Sequence, residues 1–450
     1  MRILPLTFIL CGLSAIASCD SSITIEKVDN GGGGAPSTSS SNSSTSSSGS
    51  VGPGVPHSVA LAGRLATYPI AAAPDGSVWV FGGTFAEVES DPYGIWENAW
   101  VTKLDPSGNI VFTGIIDGPG TDVEPVAIKT DANGNVVFNG YAKRSHDHSE
   151  PLDIWGHKLD TAWEAPFIVK LDHNGNVLWA EAIDAQPTPN DPPAYRFADI
   201  GTDGEGNVLA ASGVASPFVS DQIDSFVSIR SPTGTSQNAF TMAAMDTVFR
   251  KLEVESNGDF WLARSSFYSK VQVQKFLKSG ELQMETTGSA CWVDVLAFAP
   301  DGNAGFFMFR AEDPAEHCNS SIEHHRFDGS VDWQLEGIEF YATHPTLTRS
   351  DQGHAWLGLG LEGTINIGGS SLTGTDAGDI LVTDIDTDGH FSQTTTYGGP
   401  GDDYVVQIAL DGAGRRYMAG YFANTIDFGQ GQLVNDSNAA HAIFVTRLDP

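Results

Sequence analysis

The sequence predicts an all-β fold, a seven-bladed β-propeller of four-stranded antiparallel blades, on three observations. From Pro56 onward, short apolar runs alternate with turn residues, and no long segment has a helical period. Thirteen turns centred on glycine recur along this region. The turns alternate between two kinds, so two successive hairpins make one unit of four strands, which we call strands a to d.

The thirteen glycines share a mechanical role. A short hairpin loop needs a residue with positive φ, and glycine adopts it without a Cβ clash. Most are preceded by Asp or Asn and followed by a β-branched or aromatic run, as in DANGNVVF. We expect them to be Gly76, Gly108, Gly134, Gly175, Gly206, Gly234, Gly258, Gly280, Gly302, Gly329, Gly353, Gly389 and Gly414.

The unit repeats roughly every 56 residues, so seven units fit between Pro56 and Pro450. The segment GPGTDVEPVAIKTDANGNVVFNGY from Gly118 aligns with GPGDDYVVQIALDGAGRRYMAGY from Gly399. Runs such as VWVF at 78–81 are apolar on both sides, which is typical of strands buried on both faces. Sheets stacked around an axis provide that burial. A parallel β-helix would have shorter coils, and an immunoglobulin-like array would repeat every ~100 residues.

The repeats also carry a family resemblance. The segments 401–404, 420–421, 426–429 and 443–449, with GDDY, GY, IDFG and IFVTRLD, resemble the bacterial propeller repeat often called SBBP. Segments 166–179 and 368–386 are similar to it, whereas the units between 196 and 344 match only at their turns. The resemblance implies a propeller displayed outside the cytoplasm and implies no single reaction.

The first residues indicate export. Residues 1–18, MRILPLTFILCGLSAIAS, contain one cation, Arg2, and a short apolar run, too short for the ~20 residues that span a bilayer. The sequence Ile16-Ala17-Ser18-Cys19 resembles a bacterial lipobox. That resemblance implies cleavage before Cys19 and lipid attachment there, through palmitate-like acyl chains. The alternative is an ordinary signal peptide cleaved near Ser18. Which bacterial membrane would hold the lipid stays open.

A tether and a closed ring are expected after the signal peptide. Residues 19–56 include GGGGAPSTSSSNSSTSSSGSVGPG, which has almost no apolar content and cannot pack, so we expect a disordered linker. As a coil its span is roughly 30 to 36 Å. The propeller is assigned to 57–450. The last unit stops at Pro450 before its strand d, and we expect HSVALA at 57–62 to supply that outer strand.

The net charge limits the classes of partner that the protein is expected to bind. The chain has 23 Lys and Arg against 56 Asp and Glu, a formal charge of −33, which argues against nucleic acid and leaves the lipid as the membrane contact. No GxSxG, HExxH or Walker motif is found, and no cofactor is expected. The preferred hypothesis is a lipid-anchored propeller that displays a binding surface for protein or glycan. The alternatives are an envelope glycan lyase or hydrolase and a structural scaffold of the envelope.

Antiparallel order places the a–b and c–d turns on one rim, the turn rim, and the b–c and d–a loops on the other, the loop rim. The longest predicted loops lie on the loop rim, at 87–99, 143–165, 183–195, 311–321 and 424–441. Aromatic faces there could stack on sugars or peptides, or could plug the loops. The candidate binding residues are Tyr93, Trp96, Trp155, Trp163 and Tyr195.

Two polar clusters lie in these loops, and we interpret both as solvated insertions rather than metal sites. In loop 143–165 the residues that could bind a divalent ion are His146, His148, Asp153 and His157, but their spacing fits no known motif. The second cluster, at 312–325, includes Glu323, His324 and His325. The turns at Asp131 and Asp172 lack the spacing of a calcium loop.

A disulfide is expected between Cys291 and Cys318. Both cysteines fall on the loop rim of the fifth unit, and exported proteins tend to oxidise such pairs. Closing the ~27 residues between them would stabilise the fold by roughly 3.5 kcal/mol in the loop-entropy model. The alternative is two reduced thiols that are buried separately.

Overall fold

The computed structural model describes residues 58–448 except 62, 89–90, 118–120, 145–150, 160–163, 183–194, 215–224, 243–246, 267–269, 290–294, 304, 311–320, 337–344, 351–352, 362, 368–369, 375–377 and 436–439. The signal peptide, Cys19 and the linker therefore lie outside the described residues, as do Cys291 and Cys318. The described residues form strands and turns, and they contain no helix with the length and hydropathy needed to cross a bilayer.

The strands, numbered in chain order, form seven four-stranded antiparallel blades, as predicted. Blade 1 contains β2 (Arg64–Ala72), β3 (Val78–Val88), β4 (Asp91–Leu104) and β5 (Ile110–Ile116). Blade 2 contains β6 (Thr121–Thr130), β7 (Val136–Arg144), β10 (Glu164–Leu171) and β11 (Val177–Ala182). Blade 3 contains β12 (Tyr195–Thr202), β13 (Val208–Val214), β14 (Ser225–Arg230) and β15 (Ser236–Met242). Blade 4 contains β16 (Thr247–Val254), β17 (Phe260–Ser266), β18 (Lys270–Phe276) and β19 (Leu282–Ser289).

The remaining blades follow the same order. Blade 5 contains β20 (Val295–Pro300), β21 (Phe306–Arg310), β22 (Ser321–His325) and β23 (Val331–Glu336). Blade 6 contains β24 (Thr346–Arg349), β25 (Ala355–Leu361), β28 (Asp379–Ile385) and β29 (Phe391–Tyr397). Blade 7 contains β30 (Tyr404–Leu410), β31 (Arg416–Phe422), β34 (Ala442–Leu448) and β1 (Ser58–Leu61). Small hairpins interrupt three b–c loops: β8 (Leu152–Ile154) with β9 (His157–Leu159), β26 (Thr364–Ile367) with β27 (Ser370–Thr373), and β32 (Thr425–Asp427) with β33 (Gln432–Val434).

The ring closes through the two ends of the described chain, which confirms the prediction from the sequence. Strand β1 is the outer strand of blade 7 and pairs antiparallel with β34, from Ser58 opposite Thr446 to Leu61 opposite Ile443. Because a propeller is stable only when its first and last blades meet, this short strand joins the start of the ring to its end.

All thirteen predicted glycines have positive φ, between 74° and 91°. In most of these turns the glycine amide donates to the carbonyl three residues earlier, as from Gly134 to Asp131. The carboxylate of Asp131 accepts the amides of Asn133 and Asn135, and the side-chain amide of Asn135. Asp172 makes the same contacts, so both carboxylates complete a hairpin turn.

The core lies between neighbouring blades, whose sheets are apolar on both faces. Trp79, Val80 and Phe81 are fully buried in β3, and the ring of Phe81 lies 5.0 Å from that of Phe138 in blade 2. The predicted loop 87–99 was wrong: β3 continues to Val88 and pairs with β4 from Asp91. Aromatic and β-branched residues in that segment favour strand over loop, so the blade is longer than its turn spacing suggests.

A buried polar or charged side chain occurs near the end of strand c in all seven blades: Lys103, Lys170, Arg230, Lys275, His324, Asp384 and Arg447. The Nζ atom of Lys170 lies 2.8 Å from Asp131 Oδ2 in the a–b turn of the same blade. It also donates to the carbonyl of Gly206 in the next blade, at 2.8 Å. Lys275 and Glu255 repeat the pair at 2.9 Å. Because an unpaired buried charge costs several kcal/mol, these pairs fix strand c against the first turn.

Candidate functional site

The inner strands surround a central cavity of about 750 Å³. Residues of β2, β6, β16, β20, β24 and β30 line it, together with Tyr421 and His441 from the loop rim. Each of these strands runs from the loop rim to the turn rim, so the cavity follows the propeller axis. We call this axial cavity the channel. A cavity of this volume is within the range of ligand pockets.

The wall of the channel is held by bonds between blades. Most inner strands carry a β-bulge, for example between Phe197 and Asp199 and between Val405 and Gln407. The side chain after the bulge then accepts an amide of the following blade: Leu252 donates to Asp199 Oδ2 at 3.0 Å, and Ile70 donates to Gln407 Oε1 at 2.9 Å. These bonds indicate a preformed channel rather than one assembled on binding.

A charged network lies toward the turn-rim end of the channel. One oxygen of Glu253 lies 3.7 Å from Lys129 Nζ and 3.4 Å from Lys251 Nζ, and Lys251 is also 3.4 Å from Asp199. Burial by itself lowers the pKa of Lys251, but Asp199 and Glu253 outweigh it and raise that pKa. Burial raises the pKa of Glu253, but the two lysines outweigh it and lower that pKa. Lys251 and Glu253 therefore both carry their charges at neutral pH.

Three rings meet at the loop-rim mouth of the channel. The ring of Tyr404 lies 5.1 Å from that of Tyr421 and 5.6 Å from that of His441. All three residues are half-buried, and Arg64 and Glu124 line the same end of the cavity. The backbone amide of Leu65 donates to the hydroxyl of Tyr421 at 2.6 Å, which fixes that ring against β2.

The protonation states at the mouth follow from burial. Burial raises the pKa of Tyr421 to about 12 and also raises the pKa of Tyr404, so both hydroxyls keep their protons at neutral pH. Burial lowers the pKa of His441, against the smaller effect of Asp402, and the imidazole is neutral. The mouth therefore offers two hydroxyl donors, a guanidinium and a neutral imidazole beside aromatic faces.

Of the five predicted aromatic residues, Trp155 is the one whose side chain the structure describes. Trp155 packs inward: its ring lies 5.7 Å from Phe112 and 6.4 Å from Phe138, and its indole nitrogen donates to the carbonyl of Ile115. The backbones of Tyr93 and Trp96 belong to β4, and that of Tyr195 belongs to β12. Trp163 lies outside the described residues.

The structure describes two of the four residues predicted as metal-binding candidates. His146 and His148 lie outside the described residues. Asp153 is in β8 and His157 in β9, both exposed, and the Asp153 carboxylate accepts the amide of Gly156.

Among the residues that the structure describes, one group of three side chains has the ligand atoms close enough for a metal ion: Asp386, Asp388 and His390. The Asp386 carboxylate already accepts bonds from the other two residues of its turn.

The second polar cluster is not a solvated insertion at its C-terminal end. Glu323, His324 and His325 lie in β22 and are buried. Glu323 contacts His325 Nε2 at 2.8 Å and Arg310 at 2.8 Å, and His324 Nε2 lies 3.1 Å from Asp301. The ring of His325 stacks on Phe306 at 4.7 Å. Mutual pairing makes burial of these polar groups possible, which the sequence pattern did not indicate.

The residues at the channel mouth were not predicted as a site. Tyr404 and Tyr421 belong to the repeat segments GDDY and AGYF, and Arg64 opens the first inner strand. The signal present in the sequence was the aromatic residue after the glycine in both VVFNGYA and RYMAGYF.

No protein-family model matches this chain, and no curated protein sequence matches it significantly. The chain is similar to several solved structures. A mutant of puromycin hydrolase has a TM-score of 0.41 at 10% identity, over 80% of this chain and 59% of the hydrolase. The β-propeller domain of the Trilobed protease from Pyrococcus furiosus has a TM-score of 0.42 at 11% identity, over 69% and 82%. Polysaccharide lyase Uly1 has a TM-score of 0.45 at 9% identity, over 86% and 90%.

At these identities the similarity concerns architecture alone, and the propeller fold rests on the strand order given above. The resemblance of the repeats to the SBBP type stays a prediction.

Proposed function

We propose that this protein is exported, anchored to a bacterial membrane by lipid at Cys19, and binds a glycan at the loop-rim mouth of its channel. The observation that carries the binding role is the group formed by Tyr404, Tyr421 and His441, three half-buried rings at the entrance of a cavity of about 750 Å³. Aromatic faces flanked by fixed polar groups suit a ligand with apolar ring faces and hydroxyl edges, as a sugar has.

The linker supports the proposal that the channel mouth stays accessible at the membrane rather than being covered by it. The Gly/Ser-rich linker ends where β1 begins, so the membrane attachment enters the propeller at the outer edge of blade 7. A linker without charged residues from Gly31 to Pro56 and a strongly acidic propeller favour separation from an anionic membrane surface. The channel axis then stays accessible to large envelope polymers.

Binding is tested on the purified lipidated protein in detergent, by calorimetric titration with oligosaccharides prepared from envelope and extracellular glycans. We expect Tyr404→Ala to weaken binding about tenfold or more, because a stacked ring contributes roughly 1 kcal/mol or more together with its hydroxyl bond. Phe327→Ala is the matched control, since Phe327 is an exposed ring on the turn rim, 40% accessible. Equal loss in both variants, or none in either, would remove the mouth from the binding site.

Anchoring is tested separately with Cys19→Ser. We expect the native protein to incorporate labelled palmitate and to sediment with membranes, and the variant to lose both properties. A variant that still incorporates the label and sediments would show that Cys19 is not the attachment site.

A glycan lyase or hydrolase is the second candidate, because one observation favours it. The neutral imidazole of His441 lies beside the protonated hydroxyl of Tyr404, and such a pair has the protonation states that a general base and a general acid need. Depolymerisation of a bound glycan by the native protein, abolished in His441→Ala while binding persists, would establish catalysis at the mouth.

A further inference from the structure

We propose that protonation of Asp403 controls the loop-rim mouth of the channel: the protonated side chain holds the described arrangement, and ionisation releases it as the pH rises toward neutral. We call this the Asp403 switch. It adds regulation to the proposed binding site, so its effect on a ligand rests on that proposed function. It follows from the position of one buried carboxylate between three chain segments and from the other carboxylates beside it.

Asp403 joins three segments at the loop rim of blades 6 and 7. Its carboxylate accepts the amide of Gly399 at 2.6 Å and the amide of Ala423 at 3.2 Å. Its own amide donates to the carbonyl of Gly378 at 2.9 Å. The residue is 1% exposed. One buried side chain thus fixes the d–a loop that follows blade 6 against the b–c loops of both blades.

The same segments carry two of the three rings at the mouth. Tyr404 follows Asp403 directly and opens β30. Tyr421 precedes Ala423 by two residues, and its ring lies 5.1 Å from that of Tyr404. A shift between the segments of Asp403 and Ala423 therefore moves the two rings relative to each other.

Two further carboxylates lie beside Asp403, one from its own segment and one from β28. Asp402 precedes it and pairs with Gly378 in an isolated parallel bridge. Asp379 follows Gly378, and its Oδ1 atom lies so close to Gly398 that a Cβ atom there would be 1.8 Å away. Because Gly398 directly precedes the residue whose amide binds Asp403, the carboxylates of Asp379 and Asp403 contact consecutive residues of one loop.

The described arrangement favours the protonated form of Asp403. Burial, with the negative charges of Asp379 and Asp402, raises the pKa of Asp403 from 3.8 to about 6, against the two amide bonds. An opening that hydrates the carboxyl group returns its pKa toward the ordinary value, so opening is least favoured below pH 3.8 and becomes easier as the pH rises through 6. Between pH 5 and pH 7.5 these two pKa values correspond to a rise of about tenfold in the opening constant.

The other titratable groups at this end respond differently. Burial raises the pKa of Tyr404, which keeps its proton at both pH values. Burial lowers the pKa of His441, whose ring lies 5.6 Å from that of Tyr404, so the imidazole gains a proton only in acid. The b–c loop of blade 7 contributes Asn424, which is neutral. The titration of His441 is therefore the one to be separated from that of Asp403.

Hydrogen–deuterium exchange of the full lipidated protein in detergent tests the Asp403 switch without a ligand. Peptides that contain Gly399 and Ala423 report the two amides bound to Asp403. After correction for the intrinsic pH dependence of exchange, their opening should increase about tenfold between pH 5 and pH 7.5. Asp403→Asn should abolish this increase. Asp402→Asn, at an exposed position, should make it smaller, and this variant carries the test if Asp403→Asn does not fold.

Asp122→Asn is the matched control, because Asp122 occupies the same position in the repeat of blade 2, in GPGTD against GPGDD. Asp122 is half-buried, and the charge that acts on it is the positive one of Lys143. We expect Asp122→Asn to keep the tenfold increase at Gly399 and Ala423. His441→Gln should keep it as well, which separates the imidazole from the Asp403 switch.

Hydroxyl-radical footprinting shows whether the Asp403 switch reaches the mouth. Oxidation of Tyr404 and Tyr421 should rise severalfold between pH 5 and pH 7.5 in the native protein and stay constant in Asp403→Asn. No increase of exchange in the native protein, or an equal increase in Asp403→Asn, would overturn the switch. Increased exchange without increased oxidation of the two rings would overturn the regulation of the mouth. Failure of the glycan titrations would overturn the proposed function and leave the switch standing, because neither measurement uses a ligand.

Discussion

The buried pair between Lys170 and Asp131 gives the sharpest test of how a blade is held together. The side chains of both residues are 1% exposed, with Nζ and Oδ2 2.8 Å apart. Replacing Lys170 with Met removes the ammonium, leaves the Asp131 carboxylate buried without its countercharge, and leaves the Gly206 carbonyl without its donor.

The expected cost follows from these contacts. Removing one partner of a buried pair destabilises proteins by about 3–5 kcal/mol. Asp131 keeps three turn donors, from Asn133 and Asn135, so we expect the Lys170→Met variant to lose about 3 kcal/mol, at the lower end of that range. In the double variant, Asp131→Asn removes the second charge as well. Its loss of stability should be smaller than the sum of the two single losses by a coupling energy of roughly 1–3 kcal/mol.

Urea unfolding followed by tryptophan fluorescence measures these free energies. Lys103→Met is the matched control: Lys103 has the same position in blade 1, but its carboxylate partner Asp75 is 3.9 Å away and 58% exposed. We expect that variant to lose about 1 kcal/mol, mainly the bond to the His173 carbonyl. If both lysine variants lose the same free energy, or if the cycle shows no coupling, burial of the charge pair does not hold the blade.

Three further predictions concern closure, pH and packing. Deleting Ser58–Leu61 should lower the free energy of unfolding by roughly 4–6 kcal/mol. The deletion removes the backbone hydrogen bonds between β1 and β34 and exposes Phe444 and Val445. An unchanged melting temperature would contradict ring closure by β1. Burial, with the charges of Asp379 and Asp402, raises the pKa of Asp403 from 3.8 to about 6, against the amides of Gly399 and Ala423. The raised pKa stabilises the folded state by roughly 3 kcal/mol, and this contribution is fully present below pH 3.8. It is lost as the pH rises through 6. Urea unfolding at pH 4 and at pH 7.5 should therefore give a smaller difference in the free energy of unfolding for Asp403→Asn than for the native protein. Equal differences for the two proteins would show that the pKa of Asp403 is not raised. Trp155→Ala should cost about 2–3 kcal/mol in urea unfolding, because Phe112 and Phe138 lose a packed ring; a cost below about 0.5 kcal/mol would mean that the ring does not support the core.

Much of the architecture was predictable because it depends on local backbone conformation. The turns at Gly134 and Gly414 need positive φ, and their spacing sets four strands to a unit. The closing strand β1 was predictable because the last unit lacked one strand and the segment before the first unit was apolar. The loop predicted at 87–99 failed because turn spacing does not report how far a hairpin extends beyond the blade.

The candidate site was much less predictable. Trp155 belongs to the predicted rim, yet its ring fills a gap beside Gly114, where even a Cβ atom would lie 2.0 Å from the indole. In an ideal strand, alternate residues face opposite sides. The bulge between Val405 and Gln407 breaks this alternation, so period alone does not show which residues of β30 face the channel.

The sequence by itself determined the number of blades, the positions of the thirteen glycines in the blade turns and the strand that closes the ring, because each depends on residues close together in the chain or on a regular repeat. The channel mouth was decided by tertiary structure alone. Leu65 and Tyr421 are 356 positions apart, and they meet only because β2 and β31 belong to the two blades joined at closure. Whether Arg64, Tyr404 and His441 share a site thus depends on how the ring closes.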